Sequence, residues 1–128
     1  SRPDMALLAT EDRKPVACAA VFTQNLFCAP PVQLDRSLLE ANGGRAAAVI
    51  VNSGNANAGT GDQGLLDAKA MGSAAGEALG IAAGDVLVCS TGIIGTPLPM
   101  DVILPAVPAL AGSLSREGGA QAAEGILT

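Results

Sequence analysis

Two stretches of this chain each place a loop of glycine and small polar residues between a short apolar run and a helical pattern. They cover residues 51–61, Val-Asn-Ser-Gly-Asn-Ala-Asn-Ala-Gly-Thr-Gly, and residues 89–100, Cys-Ser-Thr-Gly-Ile-Ile-Gly-Thr-Pro-Leu-Pro-Met. A strand followed by a loop and a helix is the building unit of α/β folds. Such loops also expose backbone N–H groups and hydroxyls at the end of an element, where a developing negative charge can be held.

The apolar patterns predict four strands. Residues 5–10 and 16–22 are β-prone runs on either side of five polar residues, which predicts a hairpin. Residues 45–51 and 86–89 are continuous apolar runs, a pattern typical of strands that are buried on both faces. Each of these two strands leads into one of the small-residue loops.

Helices are predicted over four segments, residues 34–42, 62–79, 99–110 and 117–127. Asp35 is placed to cap the first helix, and Pro105 and Pro108 predict an interruption of the third. Two hairpin strands and two strand–helix units together predict an α/β layered fold and not an all-parallel Rossmann domain.

The shortage of bulky side chains limits the core. Among 128 residues, enough for a single domain over residues 1–128, two phenylalanines are the only aromatic residues, whereas glycine occurs 16 times. We therefore expect a core of closely approaching backbones, and we expect another polypeptide to supply the missing core volume.

Charge and cysteine content argue against several classes of protein. The net charge of −5, with seven scattered lysines and arginines, argues against nucleic acid as a partner. No apolar run approaches the ~20 residues of a membrane span, and we expect no signal peptide, because no apolar segment follows Ser1. Cys18, Cys28 and Cys89 lack metal-ligand spacing, so no metal site is predicted and all three are expected to be buried, reduced thiols.

The sequence Gly59-x-Gly61-x-x-Gly64 matches the dinucleotide-binding fingerprint. In that fingerprint the first glycine lies where the strand ends, whereas here residues 52–58 intervene. The acidic residue expected at the end of the next strand is also missing. The match is therefore interpreted as a turn and helix start, and a nucleotide-binding module at Gly59–Gly64 is kept as an alternative function.

Hydroxyl and amide side chains in the two loops are the remaining candidates for chemistry. Ser53 and Ser90 have no histidine as a base, since the chain contains none, so a Ser–His–Asp triad within it is excluded. Loop hydrogen bonding is the preferred interpretation of both serines and of the nearby asparagines. Thr91 and Gly92 end a buried strand, where a hydroxyl and a neighbouring N–H form either a two-donor site for an oxyanion or a plain turn.

Four motifs along the chain, taken together, are specific. The first is residues 51–58 with Thr-Gly at 60–61 and Gly-Leu-x-Asp-Ala at 64–68. The second is Ser-Thr-Gly-Ile-Ile-Gly at 90–95 with Leu-Pro-Met at 98–100. The others are Ala-Ala-Val-Phe-Thr-Gln-Asn at 19–25 and Ala-Ala-Glu-Gly-Ile-Leu-Thr at 122–128. These motifs resemble those of the ornithine acetyltransferases, also called glutamate N-acetyltransferases, some of which are also N-acetylglutamate synthases.

The resemblance implies an enzyme of arginine biosynthesis that cleaves its own precursor into α and β chains. The new N-terminal threonine of the β chain takes acetyl from N-acetylornithine and passes it to glutamate in a ping-pong reaction. By the same resemblance, Thr91 and Gly92 supply the oxyanion hole, and Thr128 contacts the substrate.

The resemblance also implies the assembly in which this chain works. It predicts an N-terminal nucleophile-like layered fold that is incomplete without the β chain, an α2β2 assembly, and a cytoplasmic location that is mitochondrial in fungi. No cofactor is expected, and acetyl-CoA enters as a co-substrate of the bifunctional members. The chain is expected to be most of an α chain, inactive by itself. A non-catalytic scaffold subunit, or an aminopeptidase of the same fold, is an alternative.

Overall fold

The computed structural model describes residues 3–128, which form a mixed sheet with helices packed against it. Its strands are β1 (Met5–Ala9), β2 (Val16–Ala17), β3 (Arg45–Ala46), β4 (Ala48–Asn52) and β5 (Val86–Ser90). Its helices are α1 (Pro30–Ala41), α2 (Gly61–Leu79), α3 (Met100–Gly112) and α4 (Gly119–Gly125). The main sheet has the order β1-β4-β5, with β1 antiparallel and β5 parallel to β4. The predicted layered α/β class is confirmed.

The core lies between this sheet and helices α1, α2 and α3. Leu7, Ile50 and Val88 are in register across the three strands, and all three are buried. A Cβ added to Gly72 would lie 3.3 Å from the Val88 side chain, so the glycine at this position lets α2 pack closely against the sheet.

The predicted hairpin between the first two strands is wrong. β1 pairs with β4, whereas β2 pairs with β3 in a separate two-stranded sheet. The Thr10 N–H donates to the Ala47 carbonyl and the Cys18 N–H to the Gly44 carbonyl, both at 2.8 Å. The segment from Arg45 to Asn52 therefore pairs with both runs, one after the other, and the two runs do not pair with each other.

The predicted interruption of the third helix is also wrong. α3 is continuous through Pro105 and Pro108. Both prolines are exposed, whereas Ile103 and Val107 on the other face are buried in the core. The carbonyls that lose an intrahelical donor therefore lie on the solvent side, where water can satisfy them. The last helix is shorter than predicted and ends at Gly125.

The face of the sheet opposite the core is only partly covered within residues 3–128. Val49 and Val51 are half-buried, although burial on both faces was expected. Cys89, in register with Val51, is exposed, and Cys18 and Cys28 are half-buried. The expectation of three buried thiols is therefore wrong. None of the helices in the described part of the chain combines the length and hydropathy of a membrane span.

Asp35 is not the cap that the sequence suggested. The N-cap of α1 is Ala29, followed by prolines at the first two helical positions, and Asp35 lies one turn further in with 7% of its surface exposed. Its Oδ1 accepts a hydrogen bond of 2.9 Å from the N–H of Val88, a backbone group on the outer edge of β5. Burial raises the pKa of Asp35 to about 6, although the hydrogen bond from Val88 acts in the opposite direction.

We expect Asp35→Asn to remove a pH dependence of stability. The pKa of Asp35 rises from its ordinary 3.8 to about 6 on folding, so the protonated form favours the folded state. That contribution is complete below about pH 4 and is lost as the pH rises through about 6, at no more than about 1.4 kcal/mol per pH unit. Urea unfolding of both proteins from pH 4 to 7 measures it, with Asp35→Ala as the control that also removes the acceptor for Val88. Equal slopes for wild type and Asp35→Asn would contradict the prediction.

Candidate functional site

The two small-residue loops lie side by side because the strands before them are parallel neighbours. Asn52 at the end of β4 is in register with Ser90 at the end of β5. The Thr91 N–H donates to the Asn52 carbonyl at 3.0 Å, and the Ile93 N–H donates to the Gly54 carbonyl at 3.1 Å. The pairing of the strands thus continues into the loops, and both motifs meet at the carboxyl edge of the sheet.

Ser90 is held in a polar network under these loops. Its hydroxyl lies 2.5 Å from Asn52 Oδ1, to which it donates, and accepts a hydrogen bond of 2.9 Å from the Asn57 N–H. Asn52 Nδ2 donates in turn to the Asn55 carbonyl at 2.8 Å. Asn52 and Asn57 are 2% and 1% exposed. The hydroxyl is therefore engaged on both its donor and acceptor sides, which confirms its interpretation as a loop hydrogen bond.

The other polar side chains of the first loop also bind backbone groups. Ser53 Oγ donates to the Gly125 carbonyl at 2.8 Å. Asn55 Nδ2 donates to the carbonyls of Thr96 and Pro97 at 3.1 and 2.9 Å, which attaches the first loop to the second. These contacts confirm that the serine and asparagines build the loops.

The glycine fingerprint is a turn and the start of α2, as predicted. Gly59 and Gly61 have φ of 66° and 62°, and α2 begins at Gly61. Gly64 lies against the side chains of Thr60 and Asn57, and a Cβ there would collide with both. Thr60 Oγ1 donates to Asn57 Oδ1 at 2.5 Å, and Asn57 Nδ2 donates to the Gly64 carbonyl at 2.7 Å. Protein side chains therefore occupy the space that the glycine leaves at the helix start.

Thr91 and Gly92 present two hydrogen-bond donors that no group in residues 3–128 accepts. The main-chain N–H of Thr91 is bound to Asn52, but its hydroxyl and the N–H of Gly92 have no partner in the described part of the chain. Every buried side-chain nitrogen or oxygen among those residues has a partner, so the unpartnered Thr91 hydroxyl reaches the surface. Two adjacent donors at the end of a fixed strand are an arrangement suited to a negatively charged oxygen.

Gly92 is fixed by its contact with Gly54. Its φ is 134°, and a Cβ at this position would collide with the Gly54 carbonyl group and lie 2.7 Å from the Asn55 nitrogen. Gly54 was not identified from the sequence as part of this site. The signal that could have found it is the coincidence of a glycine in each loop two residues beyond strands of matching register.

Thr128 lies at the end of a segment that is attached to the same edge. Gly125 accepts the hydrogen bond from Ser53, and a Cβ at Gly125 would lie 2.7 Å from the Met5 carbonyl oxygen. Thr128, three residues further on, is exposed. The structure shows no hydrogen bond between it and Thr91 or Gly92 within the described residues. Thr91 and Gly92 thus lie together in one turn, whereas Thr128 is linked to them only through the sheet edge to which its segment is attached.

Two grooves lie beside the sheet. One of about 370 Å³ lies between the first loop and α3, with Asn52, Gly54 and Val102 among its lining residues. The other, of about 560 Å³, runs along β1 beside α4. Residues 3–128 contain no cluster of three or more histidine, cysteine or acidic side chains that could hold a metal ion.

Comparison with known proteins gives consistent matches in sequence and in structure. The family model of the ArgJ family matches residues 1–128. The arginine biosynthesis bifunctional protein ArgJ of Caldanaerobacter subterraneus subsp. tengcongensis is 48% identical over 128 residues, which are all of this chain and 31% of that protein. The chain thus spans about a third of the length of the curated relatives it matches.

Two solved structures share the fold. The arginine biosynthesis bifunctional protein ArgJ of Bacillus halodurans has a TM-score of 0.90 and 40% identity, with 100% of this chain and 65% of that chain covered. The ornithine acetyltransferase of Mycobacterium tuberculosis, solved in complex with ornithine, has a TM-score of 0.88 and 41% identity, with 98% and 67% covered.

Proposed function

This chain belongs to the ArgJ family, and we propose that it supplies the oxyanion-binding part of an acetyltransferase active site in arginine biosynthesis. The reaction is the transfer of acetyl from N-acetylornithine to glutamate. The observation that supports this role is the pair of unpartnered donors, the Thr91 hydroxyl and the Gly92 N–H, at the edge where both small-residue motifs meet.

In the proposed mechanism, a threonine at the N-terminus of a partner chain is the nucleophile. Its oxygen attacks the acetyl carbonyl, and the carbonyl oxygen becomes an oxyanion that accepts hydrogen bonds from Thr91 and Gly92. Collapse breaks the C–N bond, and ornithine leaves after its nitrogen takes up the proton lost by the threonine. This chain has no histidine to act as the base, and the amine of the N-terminal threonine itself suits that role.

The second half-reaction uses the same two donors. The amine of glutamate attacks the acetyl-threonine ester, a second oxyanion forms, and N-acetylglutamate leaves as the threonine oxygen is released and reprotonated. An enzyme that also takes acetyl from acetyl-CoA would acylate the same threonine, which accounts for an additional amino-acid N-acetyltransferase activity. We propose that Thr128 contacts the substrate and that two α and two β chains assemble, in the cytoplasm or, in a fungus, in mitochondria.

Two rival functions predict different results. A nucleotide-binding module at Gly59–Gly64 predicts that NAD, FAD or ATP raises the melting temperature, but Thr60 and Asn57 fill the space beside Gly64. A non-catalytic scaffold predicts that changes at Thr91 leave turnover intact. The fixed loop geometry around Gly92, with donors left free, favours the catalytic role over both.

An activity assay tests the proposal directly. We expect the two-chain enzyme to convert N-acetylornithine and glutamate into ornithine and N-acetylglutamate. The 128-residue chain purified alone should show no turnover, because the proposed nucleophile belongs to the partner chain. Mixing with the partner chain, or production from the full-length precursor, should restore activity. Turnover by the isolated chain, or an assembled enzyme that is inactive with this substrate pair, would contradict it.

A further inference from the structure

The second small-residue loop is held in place by the first. Four backbone hydrogen bonds of 2.8–3.1 Å join them, from the N–H groups of Thr91, Ile93 and Gly95 to the carbonyls of Asn52, Gly54 and Ala58, and from the Ala56 N–H to the Ile93 carbonyl. The residues on either side of Gly92 thus both donate to the first loop. Because alternate residues of a parallel pair face the same neighbour, the Gly92 N–H points away from that loop. Its direction therefore depends on where the first loop lies.

The Ser90 hydroxyl closes the first loop from below. It donates to Asn52 Oδ1 at 2.5 Å and lies 3.1 Å from the Asn55 carbonyl oxygen. It also accepts a hydrogen bond of 2.9 Å from the Asn57 N–H. Asn52 and Asn55 are the two ends of the turn that contains Gly54. One hydroxyl therefore holds both ends of the turn whose Gly54 carbonyl lies against the backbone of the second loop.

Without the Ser90 hydroxyl, this arrangement would lose partners for two buried polar groups. Asn52 Oδ1 and the Asn57 N–H have no hydrogen-bond partner among residues 3–128 other than Ser90. Both asparagines are buried, so neither group can turn to water where it stands. A buried polar group without a partner is costly, and the first loop would have to shift to satisfy both groups.

We propose that Ser90 is a positioning residue for acetyl transfer. Its hydroxyl touches no reacting atom, but it fixes the first loop, and the first loop fixes the backbone on either side of Gly92. Ser90 also directly precedes Thr91, so a shift of this network moves both donors relative to each other. The inference rests on the proposed oxyanion role of Thr91 and Gly92, and it adds a residue on which the aim of these two donors depends.

Steady-state kinetics of Ser90→Ala in the assembled, cleaved enzyme test this role. We expect kcat per cleaved active site to fall by roughly 10–10²-fold, the cost of misplacing a catalytic group by up to about 1 Å. KM should change little, because the two donors act on a charge that exists only in the transition state. Ser90→Thr, which keeps the hydroxyl at the end of a strand, should retain most of the wild-type kcat.

Thr60→Ala is the matched control for a loss of stability alone. The Thr60 hydroxyl donates to Asn57 Oδ1 at 2.5 Å, so it belongs to the same network, but it lies at the start of α2. Ser90→Ala and Thr60→Ala should each lower Tm by several degrees. Only Ser90→Ala should lower kcat. An equal loss of kcat in both variants would show that Ser90 acts through loop stability alone and would overturn the inference.

Thr91→Ala, measured in parallel, separates this inference from the proposed function. If Thr91→Ala lowers kcat and Ser90→Ala does not, the oxyanion role holds and the positioning role of Ser90 is wrong. If neither variant lowers kcat, both are wrong. Should Ser90→Ala fail to assemble, Ser90→Cys decides, because its thiol keeps only a weak donor and acceptor. It should lower kcat several-fold with little change in KM, and a wild-type kcat would overturn the inference.

Discussion

Thr91→Ala in the fully cleaved, assembled enzyme should lower kcat for acetyl transfer by roughly 10²–10³-fold, the usual cost of losing one oxyanion donor. The Thr91 hydroxyl has no partner in residues 3–128, so its removal breaks no hydrogen bond of the resting loop. Its contribution arises only when the substrate oxygen becomes negative. KM should therefore change much less than kcat.

Two control variants separate this effect from damage to the loop. Thr91→Ser keeps the hydroxyl and should retain most of the activity. Thr96→Ala removes the hydroxyl of an exposed threonine in the same loop and should leave kcat unchanged. If the same donors assist self-cleavage, the Thr91→Ala precursor will mature slowly, so turnover is measured per cleaved active site. If the Thr91→Ala enzyme has the wild-type kcat, the Thr91 hydroxyl is not an oxyanion donor and the loop has only a structural role.

The sequence predicted the parts of the fold that depend on local pattern. Strands β4 and β5 and helix α2 lie within a few residues of their predicted bounds. A β-prone run does not specify its partner, however. The five polar residues after β1 looked like a hairpin turn, but the segment from Arg45 to Asn52 pairs with both runs. Strand pairing is a long-range choice that local periodicity does not determine.

Asp35, Pro105 and Pro108 show a second limit. Each was assigned a role from local rules, as a cap or as helix breakers. Pro105 and Pro108 lie on the exposed face of α3, where the missing hydrogen bonds cost less. Asp35 accepts a hydrogen bond from Val88, which lies on the edge of a strand 53 residues away. Which face of a helix is buried, and against what, decided the outcome in all three cases.

The candidate site could be predicted from the sequence because its residues directly follow strands. Parallel neighbours bring such residues to one edge, so Thr91 and Gly92 could be placed beside the first loop. The need for glycine at position 92 could not be predicted from the sequence. It arises from the contact between Gly92 and Gly54, which are 38 positions apart. The network of Ser90, Asn52 and Asn57 likewise became visible only once both loops were in place.

Gly92→Ala should cost both stability and activity. The new Cβ would collide with the Gly54 carbonyl group and lie 2.7 Å from the Asn55 nitrogen, and these backbone atoms cannot rotate away. The φ of 134° is also strained for any residue with a side chain. Overpacking costs about 1–3 kcal/mol and a strained backbone of this kind about 1–3 kcal/mol more. The loops should move apart, and displacement of the Gly92 N–H by about 1 Å should reduce kcat by roughly 10²-fold.

Gly95→Ala is the matched control for this substitution. Gly95 lies in the same loop with a φ of 85°, but no atom lies within 4 Å of the position of an added Cβ. It should therefore show only the backbone cost, of about 1–2 kcal/mol, with near wild-type kcat. Thermal unfolding and steady-state kinetics of both assembled variants measure the difference. Gly92→Ala leaves the Thr91 hydroxyl in place. A loss of kcat in this variant therefore reports on the Gly92 N–H, a backbone donor that no side-chain deletion removes. Equal kcat values for the two variants would show that the contact between Gly92 and Gly54 does not position a catalytic N–H.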